Sequence, residues 1–245
     1  LSNLSITIPE NIQSIFSNST TSQFLQSLRK SLENVRSIKA IHLPLITPDI
    51  VNDKRTLSEF LLNELVQASK ILIEKIHGIK KNPDEDRYND LLLATLRLRF
   101  QVWSWSITDQ PRTGNSSTGK NAGEADIIIQ AGNITIALFE ALILTGKNKK
   151  TTQEHVLKSF NYARNLDRYY MIIYFKGISK NFDNTWDSYK KDVSSTQFPP
   201  KAIFDKNESF KDLSSLFEDI NHLKIAKSTH GKGIEMFHIM IDLSD

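Results

Sequence analysis

Two carboxylates set beside or within apolar strands are the residues of this chain best placed to do chemistry. Asp126 follows Gly123-Glu124-Ala125 and leads into Ile127-Ile128-Ile129, and Glu140 interrupts the apolar run from Ile136 to Leu142. A charge in such a setting is costly to bury unless something compensates it. A divalent cation is one compensation; a basic partner is the other. Carboxylate oxygens gathered at one point suit Mg2+ or Mn2+, hard ions that prefer oxygen ligands. Such ions activate water and stabilise charge on a phosphodiester under attack. The bland alternative is a strand-end aspartate and a salt-bridged glutamate.

Parity decides whether these groups can meet. Side chains two apart on a strand share a face, as do residues opposite each other across an antiparallel pair. A two-residue loop of Gly132 and Asn133 would set Ala125 opposite Glu140 and turn Asp126 away. A three-residue loop of Ala131, Gly132 and Asn133 would set Glu124 opposite Glu140, with Asp126 on the same side. Hairpins with one extra residue and a glycine are common. The expectation is therefore the odd loop, or a bulge with the same effect, and Asp126, Glu140 and Glu124 as metal ligands.

The elements that must position these residues can be read from the pattern around them. Asn82-Pro83-Asp84-Glu85 is a helix start, with a capping side chain, a first-turn proline and acids where the helix dipole favours them. That helix should run through Leu91, Leu92 and Leu96 to about Arg99. Residues 100–107 alternate apolar with polar and predict a strand, with Trp103 and Trp105 as core. A polar, glycine-containing loop over 109–123 leads to strands at 125–130 and 134–142. Thr151 or Thr152 then caps a helix to about Arg164; Tyr169–Phe175 is a strand, Trp186 lies in a helix, and Ile234–Leu243 is a late strand. The order from residue 82 to 175 is helix, strand, strand, strand, helix, strand.

Residues 1–80 read as a helical region for packing, docking or oligomerisation. Thr56 and Glu59 form a capping-box pattern, and Leu57, Leu61, Leu65, Leu72 and Ile76 follow at helical spacing. A further helix is expected over Thr20–Val35, then a connector over His42–Pro48 with its two prolines. The domain division expected is 1–80 and 81–245.

With the Asp on one strand and the Glu on the next in place, the chain resembles the PD-(D/E)XK, or restriction-endonuclease-like, nuclease superfamily over about 80–190. More narrowly, Glu85-Asp86-Arg87-Tyr88-Asn89-Asp90-Leu91-Leu92, Asp109-Gln110 and Gly119-Lys120-x-x-Gly-Glu-x-Asp look like bacterial domains of that superfamily linked to anti-phage defence. The resemblance implies an α/β fold, a mixed β-sheet flanked by helices, and a Mg2+- or Mn2+-dependent endonuclease acting on DNA rather than RNA. It also implies a further glutamate from the preceding helix, for which Glu85 is the candidate.

One position departs from the pattern. Where the superfamily carries the lysine of Glu-x-Lys, this chain has Leu142. In some members the amine comes from a neighbouring element. The helix after the second strand offers Gln153, His155 and Lys158, the last two one turn apart. Lys158 is the first candidate for the displaced amine and Lys120 the second. Without either, the domain would be a catalytically inactive nucleic-acid-binding or adaptor module.

Other motifs weigh less. Gly114-x-x-x-x-Gly119-Lys120 has phosphate-loop spacing, but Asn121 and an expected strand follow it. The helix N-terminus that would meet a phosphate is not there. Lys147, Lys149 and Lys150, with Lys190 and Lys191, could neutralise phosphates or simply be solvated.

Bulk properties set outer bounds. With 39% hydrophobic and 24% charged residues among 245, the composition is that of a globular chain. The net charge of +3 merely permits a polyanionic partner. The chain has no cysteine. Thiolate metal sites, disulfides and thiol nucleophiles are excluded, and a reducing cytoplasm is the simplest setting. No apolar run reaches the roughly 20 residues needed to span a bilayer, so no membrane role is expected. The chain opens on Leu1 rather than Met, which suggests a piece of a longer protein, with an upstream sensor module or self-association through 1–80.

Overall fold

The computed structural model describes residues 54–75, 85–103, 105–109, 126–162, 166–208, 210–231 and 233–244. The chain divides into two compact units, residues 1–60 and 61–245. The expected helix at 20–35 and the connector at 42–48 lie outside the described residues.

Helix α1 (Lys54–Lys75) buries Leu61, Leu65 and Leu72 on one stripe. It already includes Lys54 and Arg55, so Thr56 and Glu59 are not a capping box; Glu59 instead pairs with Arg55 one turn earlier, at 2.9 Å. Helix α2 (Glu85–Phe100) has Glu85 and Asp86 in its first turn and buries Tyr88, Asn89, Leu92, Leu93, Leu96 and Phe100. Arg99 of α2 ties back to Glu64 of α1, Nη2 to Oε1 at 3.0 Å.

The strand expected over 100–107 begins later. Phe100 closes α2, Gln101–Trp103 make a single 3-10 turn, and the strand itself is β1 (Trp105–Asp109). Aromatic packing explains the shift: Trp105 sits 5.5 Å from the Phe100 ring and 5.3 Å from Trp103, clamping the helix end to the strand. The Trp103 and Trp105 side chains are buried, as expected of core.

Then come β2 (Ile127–Ala131), β3 (Ile134–Leu144), α3 (Lys149–Tyr162), β4 (Arg168–Phe175) and α4 (Phe182–Ser194). The short β5 (Lys211–Asp212), β6 (Leu223–His230) and β7 (Ile234–Asp242) complete the described chain. Helix α3 starts two residues before Thr151 because Asn148, not a threonine, supplies the cap: its Oδ1 accepts the Thr151 N–H at 3.1 Å.

The seven strands form one mixed sheet in the order β1-β2-β3-β4-β7-β6-β5. The pairs β3/β4 and β4/β7 are parallel and the others antiparallel. Every residue of β4 is buried, as its unbroken apolar run requires of a central strand. Alternation sorts its side chains. Met171, Ile173 and Phe175 join Val156 and Phe160 of α3 and Trp186 and Tyr189 of α4 in one core. On the other face Tyr174 packs at a tilt against Tyr88 of α2 and donates a 2.8 Å hydrogen bond to Oδ1 of Asn89. The chain is thus α/β, a mixed sheet flanked by helices.

The core also holds a buried polar chain that the sequence reading did not single out. The Ala202 carbonyl can only accept, so Nδ1 of His230, 3.3 Å away, carries hydrogen. Neutral His230 then accepts at Nε2 from Ser228 Oγ (2.8 Å), and Ser228 accepts from Nε2 of His238 (2.7 Å). His238 accepts at Nδ1 from the Tyr189 hydroxyl (2.7 Å). One carbonyl orients every proton in the series. Burial lowers the pKa of His230 to about 4 and that of His238 well below its usual value.

Among the described residues, no helix is long and apolar enough to cross a membrane.

Candidate metal centre

The β2–β3 hairpin turns on two residues, Gly132 and Asn133, with Gly132 at φ 59. That turn alone would put Asp126 on the wrong face. The correction comes from a bulge: Ile129 pairs with Ala137 but Gln130 with Thr135, so Ile136 is the extra residue. Beyond the bulge Ile127 pairs with Phe139. One step further along that register Asp126 falls opposite Glu140. The place expected for Glu124 therefore belongs to Asp126, because the odd residue sits in β3 and not in the loop. Glu124 itself lies outside the described residues.

Asp126 ends the ladder as well as lining the site. Its Oδ2 accepts the backbone N–H of Ala141 at 2.7 Å, a donor beyond the reach of β2. Its Oδ1 faces Lys158 Nζ at 3.5 Å. Glu140, fully buried, receives two donors on Oε1: Lys158 Nζ at 2.6 Å and Nδ1 of His155 at 3.0 Å. Both come from α3, where a spacing of three sets His155 and Lys158 on one side of the helix.

Charge is unevenly matched here. Burial, then Asp126 and Glu140, push the Glu85 carboxyl up to about 7, against the opposing pull of His155 and Lys158. Burial likewise raises Glu140, while its bonds to His155 and Lys158 and the Lys158 charge oppose the rise. His155 is held above its usual value by Glu140 and Glu85, although its own burial works the other way. Three carboxylates thus share one lysine and one histidine. Oε2 of Glu140 is buried and has no hydrogen-bond partner among the described residues.

That donor set fits a hard divalent cation: oxygen ligands, surplus negative charge and an orphaned buried carboxylate oxygen. Among the described residues, no three histidine, aspartate or glutamate side chains are gathered as a ready metal cluster. The ammonium of Lys158 stands between Asp126 and Glu140 and serves as the compensating cation.

Leu142 stands where the resembled pattern carries a lysine. It shares the face of Glu140 but is fully buried in the core with Val156 and Met171. A lysine there would be buried in apolar packing. Gln153 turns away from the carboxylates: its amide donates to Asp192 O at 3.2 Å and Ser195 Oγ at 3.3 Å, joining α3 to α4. Lys120 lies outside the described residues. Lys147, Lys149 and Lys150 are exposed at the exit of β3, while Lys190 pairs with Asp187 at 3.0 Å.

Two features escaped the sequence reading. The Ala141 N–H could not be foreseen, since any residue supplies one. Arg168 could have been, because it heads an otherwise apolar strand in the same way that Glu140 interrupts one.

No protein-family model, curated protein or solved structure matches this chain.

Proposed function

We propose that this chain is a metal-dependent nuclease that hydrolyses DNA phosphodiester bonds on a restriction-endonuclease-like fold. The observation that carries the reading is the convergence of Asp126, Glu140 and Lys158 from a strand end, a strand and a helix. The succession α2, β1, β2, β3, α3, β4 supports it, since it sets a helix before and a helix after the hairpin that carries Asp126 and Glu140.

Asp126 and Glu140 would hold Mg2+ or Mn2+, with Glu85 assisting. A cation bound there supplies an activated water and charge neutralisation at the phosphate. The residues of the chain do the rest. Lys158, anchored to Oε1 of Glu140, orients the attacking water through its ammonium hydrogens. His155 holds the Glu140 carboxylate in place by its Nδ1 bond, leaving Oε2 as the unspent oxygen. Leu142, Val156 and Met171 wall off the inner side of Glu140 with apolar packing.

The test is incubation of the purified chain with supercoiled plasmid in Mg2+, Mn2+ or EDTA. Nicking or linearisation that needs the metal and disappears in Asp126→Ala and Glu140→Ala is expected. Cleavage that survives both substitutions excludes this site.

A second reading is a non-catalytic nucleic-acid-binding or adaptor module. The 2.6 Å pairing of Lys158 with Glu140 favours it, because that pair already compensates the buried charge. DNA binding without cleavage in any metal would support this alternative.

A further inference from the structure

The candidate site depends on which face of β2 carries Asp126, and the residues of β2 do not decide it. Ile127, Ile128 and Ile129 are all buried, at 0%, 4% and 0% exposure. A slip of one residue exchanges isoleucine for isoleucine on both faces. Hydrophobic burial specifies register only where the two faces differ. The Gly132-Asn133 turn, taken alone, favours the pairing that sets Asp126 opposite Phe139. The Ala141 and Lys158 contacts of Asp126 favour the native register at one end of the strand, and the bulge at Ile136 must be held at the other.

We propose that Arg168 is a positioning residue that fixes the β2–β3 register, acting through the carbonyl of the bulged Ile136. Its Nη1 donates to that carbonyl at 3.2 Å. A bulge disrupts the ladder locally, and a buried carbonyl left without a donor loses its hydration uncompensated. Arg168 is itself buried at 7% exposure, and its Nη2 pairs with Asp167 Oδ1 at 3.1 Å. A buried guanidinium is retained where its fixed fork of donors meets acceptors that need it. Here one tine meets the carbonyl of the bulged residue itself. The functional weight of this inference rests on the reading of Asp126 and Glu140 as one site; the register itself does not.

The test reads strand pairing directly, with no cleavage assay. In isotopically labelled protein, cross-strand NOEs between Ile127 and Phe139 and between Ile128 and Leu138 mark the native pairing. Contacts between Asp126 and Phe139 and between Ile127 and Leu138 mark the slipped one. Arg168→Met removes the donors and keeps an apolar side chain of some length; slipped contacts are expected to become the major set. Arg168→Lys keeps a donor and is expected to keep the native set, as is Asp167→Asn.

Native contacts throughout a folded Arg168→Met overturn the proposal, whether or not its melting temperature falls. If Arg168→Met does not fold, deleting Ile136 in that background decides. The deletion removes the bulge and lets a regular ladder reach the native pairs, so recovered folding with native contacts supports the proposal, and no recovery overturns it. A parent chain that cuts no DNA would defeat the nuclease reading and leave the register result standing.

Discussion

Lys158 Nζ lies 2.6 Å from Oε1 of Glu140. The ammonium comes from α3 and the carboxylate from the middle of β3, so the pair exists only when helix and sheet are packed. The same nitrogen is 3.5 Å from Oδ1 of Asp126. The lysine therefore compensates both carboxylates, and under the proposed function it would turn to a water or phosphate once a metal took that task.

This double role gives a prediction that separates binding from cleavage. Lys158→Met should bind Mn2+ at least as tightly as the parent, because it removes a competing cation. Its cleavage rate should nevertheless fall by roughly a hundredfold or more, on the scale of a lost catalytic electrostatic contact. Calorimetric titration with Mn2+ and a plasmid time course check the two halves. Weaker Mn2+ binding would make Lys158 a simple structural partner.

Substitution of the carboxylates should be graded by position. Supporting groups around a metal typically cost about 10–100-fold when removed. Glu85→Gln should fall in that range, and Asp126→Ala and Glu140→Ala should exceed it. Circular dichroism should be unchanged for Glu85→Gln, whose side chain is only partly buried. Asp126→Ala should also loosen the end of β2, because the Ala141 N–H loses its acceptor. Faster amide exchange at Ala141, with the rest of the sheet unaffected, is the measurement.

The buried histidines predict acid lability. His230 is neutral in the folded protein down to about pH 4, whereas an unfolded histidine takes up its proton near pH 6.5. His238 is shifted in the same direction. Between those limits the unfolded state binds more protons, so stability rises with pH. The contribution is fully present above about pH 6.5 and is lost as pH falls toward 4. Each histidine can lower the folding constant by up to about tenfold per pH unit within its window. Urea midpoints followed from pH 7.5 to 4.5 should fall in the parent and fall less in His230→Phe. Parallel curves would remove His230 from the account.

Ser228 tests the polarity of the same chain. It is the sole hydroxyl between two imidazoles, accepting from one and donating to the other. Ser228→Ala leaves the Nε2 hydrogen of His238 and the Nε2 lone pair of His230 without this partner. A loss of about 1–3 kcal/mol is expected for such a buried vacancy. A denaturant midpoint within error of the parent would count against the assigned proton order.

Much of this architecture was legible along the chain, and the reasons are local. The acidic start and leucine spacing of α2, the apolar run of β4 and the glycine turn between β2 and β3 each reflect a few consecutive residues. Where reading failed, a competing interaction lay elsewhere. Phe100 and Trp103 looked like strand residues until their rings met Trp105 at a helix end. Gln153 belongs to the same helix as His155 and Lys158, yet the neighbouring backbone of α4 takes its amide. Strand β6 alternates buried and partly buried residues but includes two lysines, Ser228 and His230, so its apolar pattern was too thin to recognise.

The sequence by itself determined that acids would stand against apolar strands, in which order the strands and helices would follow from α2 to β4, and that oxygen rather than sulfur would do any metal binding. Tertiary structure alone decided that Asp126 and Glu140 share a face, through one extra residue at Ile136. It also decided that the amine beside them would be Lys158. The physical reason is the period of two in a β-strand. A single residue of register exchanges the faces, and the residue that does so lies within β3 rather than in the turn.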